Sequence, residues 1–184
     1  MIVIRVKDDR NKWNYIIAHY RQWKAIGDPK SNSKVGIQMQ VTRLKSFISQ
    51  CEAILAFKEP TFIGGDLNLD HMAENDPLAR PELAALFPHW DKFISDNELV
   101  QMNYKPTRHC RGQKSSLLDL IFTNRPLLCE NISNIPNLTS EHENLQLDIR
   151  VKPKIIRPQF LTIRNYQDLN YNNIMPLIDQ DIDL

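Results

Sequence analysis

Phe62-Ile63-Gly64-Gly65-Asp66-Leu67-Asn68 is the stretch on which the reading of this chain turns. An apolar run entered after Pro60 and interrupted by two glycines reads as a buried strand that closes on a carboxylate. Side chains two residues apart project to the same side of a strand, so Asp66 and Asn68 are expected together at its end. An Asp there can hold a divalent cation or take a proton from water, and an Asn can orient a phosphate oxygen or that water. Asp and Asn are also ordinary turn formers, so the stretch gains weight only from what surrounds it.

Immediately before it lies the clearest helix. Ile37, Val41, Leu44, Ile48, Cys51 and Leu55 recur three or four residues apart and form one stripe, with Arg43, Ser46 and Gln50 opposite. Upstream, residues 2–6 and 15–20 read as short buried strands joined by a polar turn at 8–12, and residues 21–33 as a loop. Downstream, after a loop at 70–78, Pro81 suits the first turn of a helix carrying Leu83, Leu86, Trp90, Phe93 and Ile94, which Pro88 should kink or split. Residues 99–102, 117–122 and 145–151 are strand candidates. Residues 103–114 form a polar, basic loop, and a Pro- and Asn-rich connection precedes the last strand. Strands alternating with helices argue an α/β layered domain over residues 1–151, with 152–184 as a linker or tail.

Composition narrows the classes. In 184 residues, 42% are hydrophobic and the formal net charge is +1, enough for one domain with a core. No run approaches a membrane span, and the opening segment has too short an apolar stretch for a secretory signal. Three scattered cysteines argue against a disulfide framework and for a reducing compartment. The charge is unevenly placed. Residues 1–58 carry eleven Lys/Arg against four Asp/Glu, a net of +7, and residues 59–148 carry seven against fourteen, a net of −7. An acidic centre beside basic segments suits a cation site within a phosphate-binding rim.

Two later pieces join the first. Ser115-Ser116-Leu117-Leu118-Asp119-Leu120-Ile121-Phe122-Thr123-Asn124 places an Asp inside an apolar run, where an unpaired charge is costly. Ser140-Glu141-His142 offers a partner just ahead of the last strand. An Asp that holds a His in position favours the cationic imidazole, which can stabilise charge on a phosphoryl oxygen. Hydrogen-bond reach between Asp119 and His142 is therefore expected. Trp90 is expected in the core, and His19, His71 and His89 in packing or surface roles.

Taken in order, these pieces resemble the endonuclease/exonuclease/phosphatase superfamily, and within it the apurinic-type endonuclease domain of non-LTR, jockey-like retrotransposons. The matching segments are Ile16-Ile17-Ala18-His19-Tyr20-Arg21, Ile63-Gly64-Gly65-Asp66-Leu67-Asn68, Lys105-Pro106-Thr107-Arg108, residues 116–124 and Ser140-Glu141-His142. The resemblance implies a four-layer α/β-sandwich of two packed mixed sheets flanked by helices. It is expected to be incomplete at the N-terminus, because the family's Asn- and Glu-bearing strands precede the Tyr-Arg strand by many tens of residues.

It also implies Mg²⁺- or Mn²⁺-dependent hydrolysis of DNA phosphodiesters. Tyr20 would touch the scissile phosphate, Asp66 would position or deprotonate water, and Asn68 would orient it. Asp119 would pair with His142, and Asp66 and Glu141 would be metal ligands. Arg21, Arg108, Arg111 and Lys114 would contact nucleic acid. The implied partners are DNA and a reverse transcriptase domain in the same polyprotein, and the implied location is intracellular, nuclear for an active element. The competing readings are an inactive remnant that binds nucleic acid weakly, and a small-molecule phosphatase or lipid phosphodiesterase.

Overall fold

The computed structural model describes residues 1–22, 27–30, 32–72 and 81–153. They belong to one compact unit, and the expected tail lies outside them except for its first two residues. Strands β1 (Ile2–Lys7) and β2 (Trp13–Ala18) pair as an antiparallel hairpin. Its turn is closed by the Asp8 carboxylate, which accepts from the backbone N–H groups of Arg10 and Lys12 at 3.0 and 2.8 Å. Helix α1 (Lys34–Leu55) follows, capped by Ser33, whose hydroxyl accepts from Gly36 N–H at 3.1 Å. Then come β3 (Thr61–Asp66), α2 (Pro81–Asp96), β4 (Val100–Gln101), β5 (Asp119–Thr123), β6 (Cys129–Ile135) and β7 (Asn144–Ile149).

Five strands form a mixed sheet in the order β1-β2-β3-β5-β4, in which only β2 and β3 are parallel, joined through α1. One face of this sheet buries Ile17, Ile63, Leu120 and Phe122 in a single core with Val41, Leu44, Phe47 and Cys51 of α1 and Leu86, Trp90 and Phe93 of α2. The stripe expected on α1 is the buried one, and Trp90 is fully buried. The opposite face presents Ile16, Phe62 and Ile121 toward Leu145 and Leu147 of the two-stranded sheet β6–β7, around a cleft of about 470 Å³. The architecture is thus a mixed α/β one with two sheets and two helices. No helix among the described residues is long and apolar enough to cross a membrane.

Four local expectations need correction. Strand β1 is not buried: Ile2 and Ile4 are 65% and 51% exposed, because β1 is the outermost strand of the sheet. Helix α2 is not split at Pro88, the loss of one backbone donor being outweighed by Leu86, Trp90 and Phe93 packed on either side of it. Strand β6 lies in the connection read as irregular. Its Asn-rich sequence hides a strand whose pairing with β7 supplies what its propensity lacks. Finally, Asp119 opens β5 rather than sitting mid-strand. Leu117, ahead of the strand, packs in the core with Leu120 and Phe122.

The three cysteines are free. Burial pushes the Cys51 thiol up to about 12, so it serves as a packing group.

Candidate active site

The site forms where strand ends converge. Strand β3 brings its C-terminal end beside the N-terminal end of antiparallel β5, and the register places Asp66 directly opposite Asp119. Both follow the cleft-facing positions of their strands, since Phe62 and Gly64 precede Asp66 in alternation and Ile121 follows Asp119. The segment ahead of β7 completes the group. His142 Nδ1 lies 2.8 Å from Asp119 Oδ2, twenty-three residues apart in sequence, as the apolar context of Asp119 predicts. Ligand atoms of Asp66, Asp119 and His142 all lie within 4.8 Å of one another.

The loop between β4 and β5 fixes this arrangement. Thr107, fully buried, accepts on Oγ1 from the backbone N–H groups of Leu118 and Asp119 at 3.2 and 3.0 Å. Its own N–H donates to Ser116 O, and its carbonyl accepts from Glu143 N–H at 2.7 Å, so one residue ties the Asp119 segment to the His142 segment. Asn103 donates from Nδ2 to Asp119 O and accepts on Oδ1 from Ile121 N–H, each at 2.8 Å, imitating a strand edge where β4 has ended. Sequence reasoning missed both as site residues. Their signal was available: a polar residue after Pro106 and another after the strand at 99–102, each closely preceding the Asp119 run.

On the other side, β2 and β3 end side by side. His19 N–H donates to Gly64 O and Arg21 N–H to Asp66 O. The approach requires Gly65, whose φ is +138° and where a Cβ would stand 1.9 Å from His19 O. Asn68 takes a left-handed φ of 50°, its N–H donates to Asp66 Oδ1 at 3.0 Å, and its Nδ2 donates to Arg21 O at 2.8 Å. Tyr20 is 67% exposed at this strand end.

Arg21 is a correction. Expected at a nucleic-acid surface, it is 2% exposed, its guanidinium bonded to the Leu67 and Asn68 carbonyls and to Gln40. Beyond the end of β2 the alternation continues, so Arg21 falls on the core side with Ile17 and Tyr20 on the cleft side with Ile16 and Ala18. Glu141, expected to bind metal, stands outside the Asp66–Asp119–His142 group and pairs with Arg108 at 2.7 Å, which draws that arginine toward protein as well. Arg111 and Lys114 are exposed on the same loop.

Electrostatically, burial raises the Asp66 carboxyl above the usual carboxylate range. Asp119 opposite adds to the rise, while the Asn68 N–H, His142 and Arg21 oppose it. A carboxylate so raised beside a His–Asp pair can exchange a proton with water next to an oriented imidazole. Two carboxylates and an imidazole within this span also fit a divalent cation of the Mg²⁺ or Mn²⁺ class, the nitrogen donor suiting Mn²⁺ better.

No family model and no curated protein matches the sequence. Solved structures do match. The endonuclease domain of TRAS1, a telomere-specific non-LTR retrotransposon, aligns at a TM-score of 0.56 with 18% identity over 82% of this chain and 62% of its own. The catalytic domain of Xenopus laevis APE2 aligns at 0.54 with 14% identity, over 85% and 56%. This chain has the endonuclease/exonuclease/phosphatase fold. An AP endonuclease from Archaeoglobus fulgidus aligns at 0.53 with 16% identity, over 81% and 65%, so the chain spans roughly three-fifths of the length of these structures.

Proposed function

We propose that this chain carries the Asp66–Asp119–His142 centre of a metal-dependent phosphodiesterase acting on DNA, of the kind found in non-LTR retrotransposon endonucleases. The observation that carries the reading is the Asp119–His142 hydrogen bond set against Asp66 on the neighbouring strand. The fold shared with the TRAS1 endonuclease domain and two AP endonucleases supports it.

In this reading Asp66 positions a water and takes its proton. Asn68, its amide nitrogen held by Arg21, presents Oδ1 to the same water. Asp119 accepts from Nδ1–H of His142 and so orients the ring, turning Nε2 toward a phosphoryl oxygen. Tyr20, exposed at the adjacent strand end, contacts the scissile phosphate. Asp66 and Asp119 would hold the cation, which when bound neutralises charge developing on the phosphoryl group. Exposed Arg111 and Lys114 lie along the DNA backbone, with a reverse transcriptase domain as polyprotein partner and the nucleus as the place of action.

A second reading, DNA binding without turnover, draws on Glu141, which engages Arg108 rather than the acidic group. The test is a substrate panel in Mg²⁺ and in Mn²⁺: supercoiled plasmid, inositol phosphates and phosphatidylinositol vesicles. Nicked plasmid alone is expected. Retention of the plasmid without nicking supports the second reading, and phosphate or lipid cleavage without nicking moves the substrate class.

A further inference from the structure

A buried guanidinium is expensive, and Arg21 is buried to 2% exposure between β2 and the loop that carries Asp66 and Asn68. Its bonds show what it is spent on. Nε donates to Leu67 O, Nη2 to Asn68 O at 2.7 Å and Nη1 to Gln40 Oε1 at 2.8 Å. Its main chain takes part as well, N–H to Asp66 O at 2.8 Å and carbonyl from Asn68 Nδ2 at 2.8 Å. Three consecutive residues, Asp66, Leu67 and Asn68, are thus gripped by a single one. Gln40 is itself buried, a polar side chain on the otherwise apolar stripe of α1. Asn68 sits in the left-handed region, which asparagine tolerates better than other residues with side chains, and the same bonds hold it there.

We propose that Arg21 is the positioning residue of the Asp66–Asn68 loop and that Gln40 anchors it to α1, so that helix placement sets the geometry of the water-handling groups. Resting on the phosphodiesterase reading for its consequence in catalysis, the proposal concerns a residue that touches neither substrate nor metal. The fork geometry is what matters: a lysine keeps the charge but cannot bond two carbonyls and an amide at once. Ionisation of Arg21 is supported by Asp66, although burial lowers its pKa to about 10.

The test compares Gln40→Leu, Gln40→Glu and Arg21→Lys in the full chain. Hydrogen exchange of the Leu67 and Asn68 amides and the Asn68 side-chain amide is read against core amides such as Ile63. Nicking kinetics and the salt dependence of DNA binding are read beside it. Gln40→Leu and Arg21→Lys should speed exchange at Leu67 and Asn68 about tenfold or more while core amides keep their protection, and lower kcat by about 10²-fold at unchanged KM. Gln40→Glu, which keeps an acceptor for Nη1, should behave as the parent.

Uniform loss of protection with no local change would overturn the proposal in favour of a purely structural arginine. A raised KM with a salt slope reduced by about one would overturn it in favour of a phosphate contact. If no form nicks DNA, the phosphodiesterase reading fails, and the exchange pattern still decides whether Arg21 holds the loop.

Discussion

Asp66 and Asp119 stand directly opposite each other across the β3–β5 ladder, two carboxylates in register at one strand end. Like charges so placed weaken a sheet, and nothing in packing asks for them. The arrangement is intelligible as a site in which stability is given up for chemistry. Its first consequence is protonic. Burial and the facing Asp119 raise the Asp66 carboxyl, whereas His142 lowers it. Asp66 should therefore titrate above the ~3.9 of a free Asp, moving down in Asp119→Asn and up in His142→Gln. Carboxyl carbon chemical shifts followed against pH check both directions.

The same shift has a sign for stability. A carboxyl whose folded pKa is raised binds its proton more tightly folded than unfolded. Asp66 thus costs nothing below the unfolded pKa, and its penalty grows as pH rises toward the folded one. Asp66→Asn, which keeps an acceptor for the Asn68 N–H, should raise the thermal midpoint at pH 7, leave it unchanged near pH 3 and abolish nicking. Calorimetry at the two pH values is the check.

Gly65 separates backbone need from side-chain chemistry. With φ at +138° and a Cβ-to-oxygen approach of 1.9 Å, Gly65→Ala must push β2 from β3. A loss of about 2 kcal/mol or more is expected in urea titration, with activity falling further than stability because Asp66 follows Gly65.

Thr107 should show the value of its hydroxyl. Thr107→Val leaves the Leu118 and Asp119 N–H groups without their acceptor and should cost about 1–3 kcal/mol, while Thr107→Ser restores most of it. Urea midpoints and the His142 ring chemical shifts report the two effects separately.

Glu141 divides the expected metal ligands. Because it pairs with Arg108 outside the acidic group, Glu141→Gln should leave Mn²⁺ affinity unchanged within error. Asp66→Asn should weaken it by about tenfold or more. Paramagnetic titration with Mn²⁺ measures both.

How much of this was legible in the sequence follows from what each signal depends on. The α1 stripe and Phe62–Gly65 could be read because helix and strand periodicity are local, and their burial was fixed by it. Asp119 with His142 was legible because a charge in an apolar run demands a partner. Arg21 was misplaced because the resemblance assigned it to nucleic acid, and only the meeting of β2, β3 and α1 makes a buried socket for it. Strand β6 was invisible for a related reason: Asn131, Ser133 and Asn134 carry no strand preference, and the pairing with β7 that creates the strand is non-local. Thr107 and Asn103 act through backbone groups of another segment, a role that residue type alone does not announce.

The central claim is that Asp119 and His142 work as a pair beside Asp66 to cleave DNA with a divalent cation. Nicking of supercoiled plasmid in Mn²⁺ and in Mg²⁺, by the parent chain and by Asp119→Asn, His142→Ala and the double variant, tests it most directly. The account predicts nicking abolished by chelation, a loss of about 10²-fold or more in each single variant, and a double variant hardly worse than either. Nicking that persists in His142→Ala, or single losses that multiply in the double variant, would contradict it.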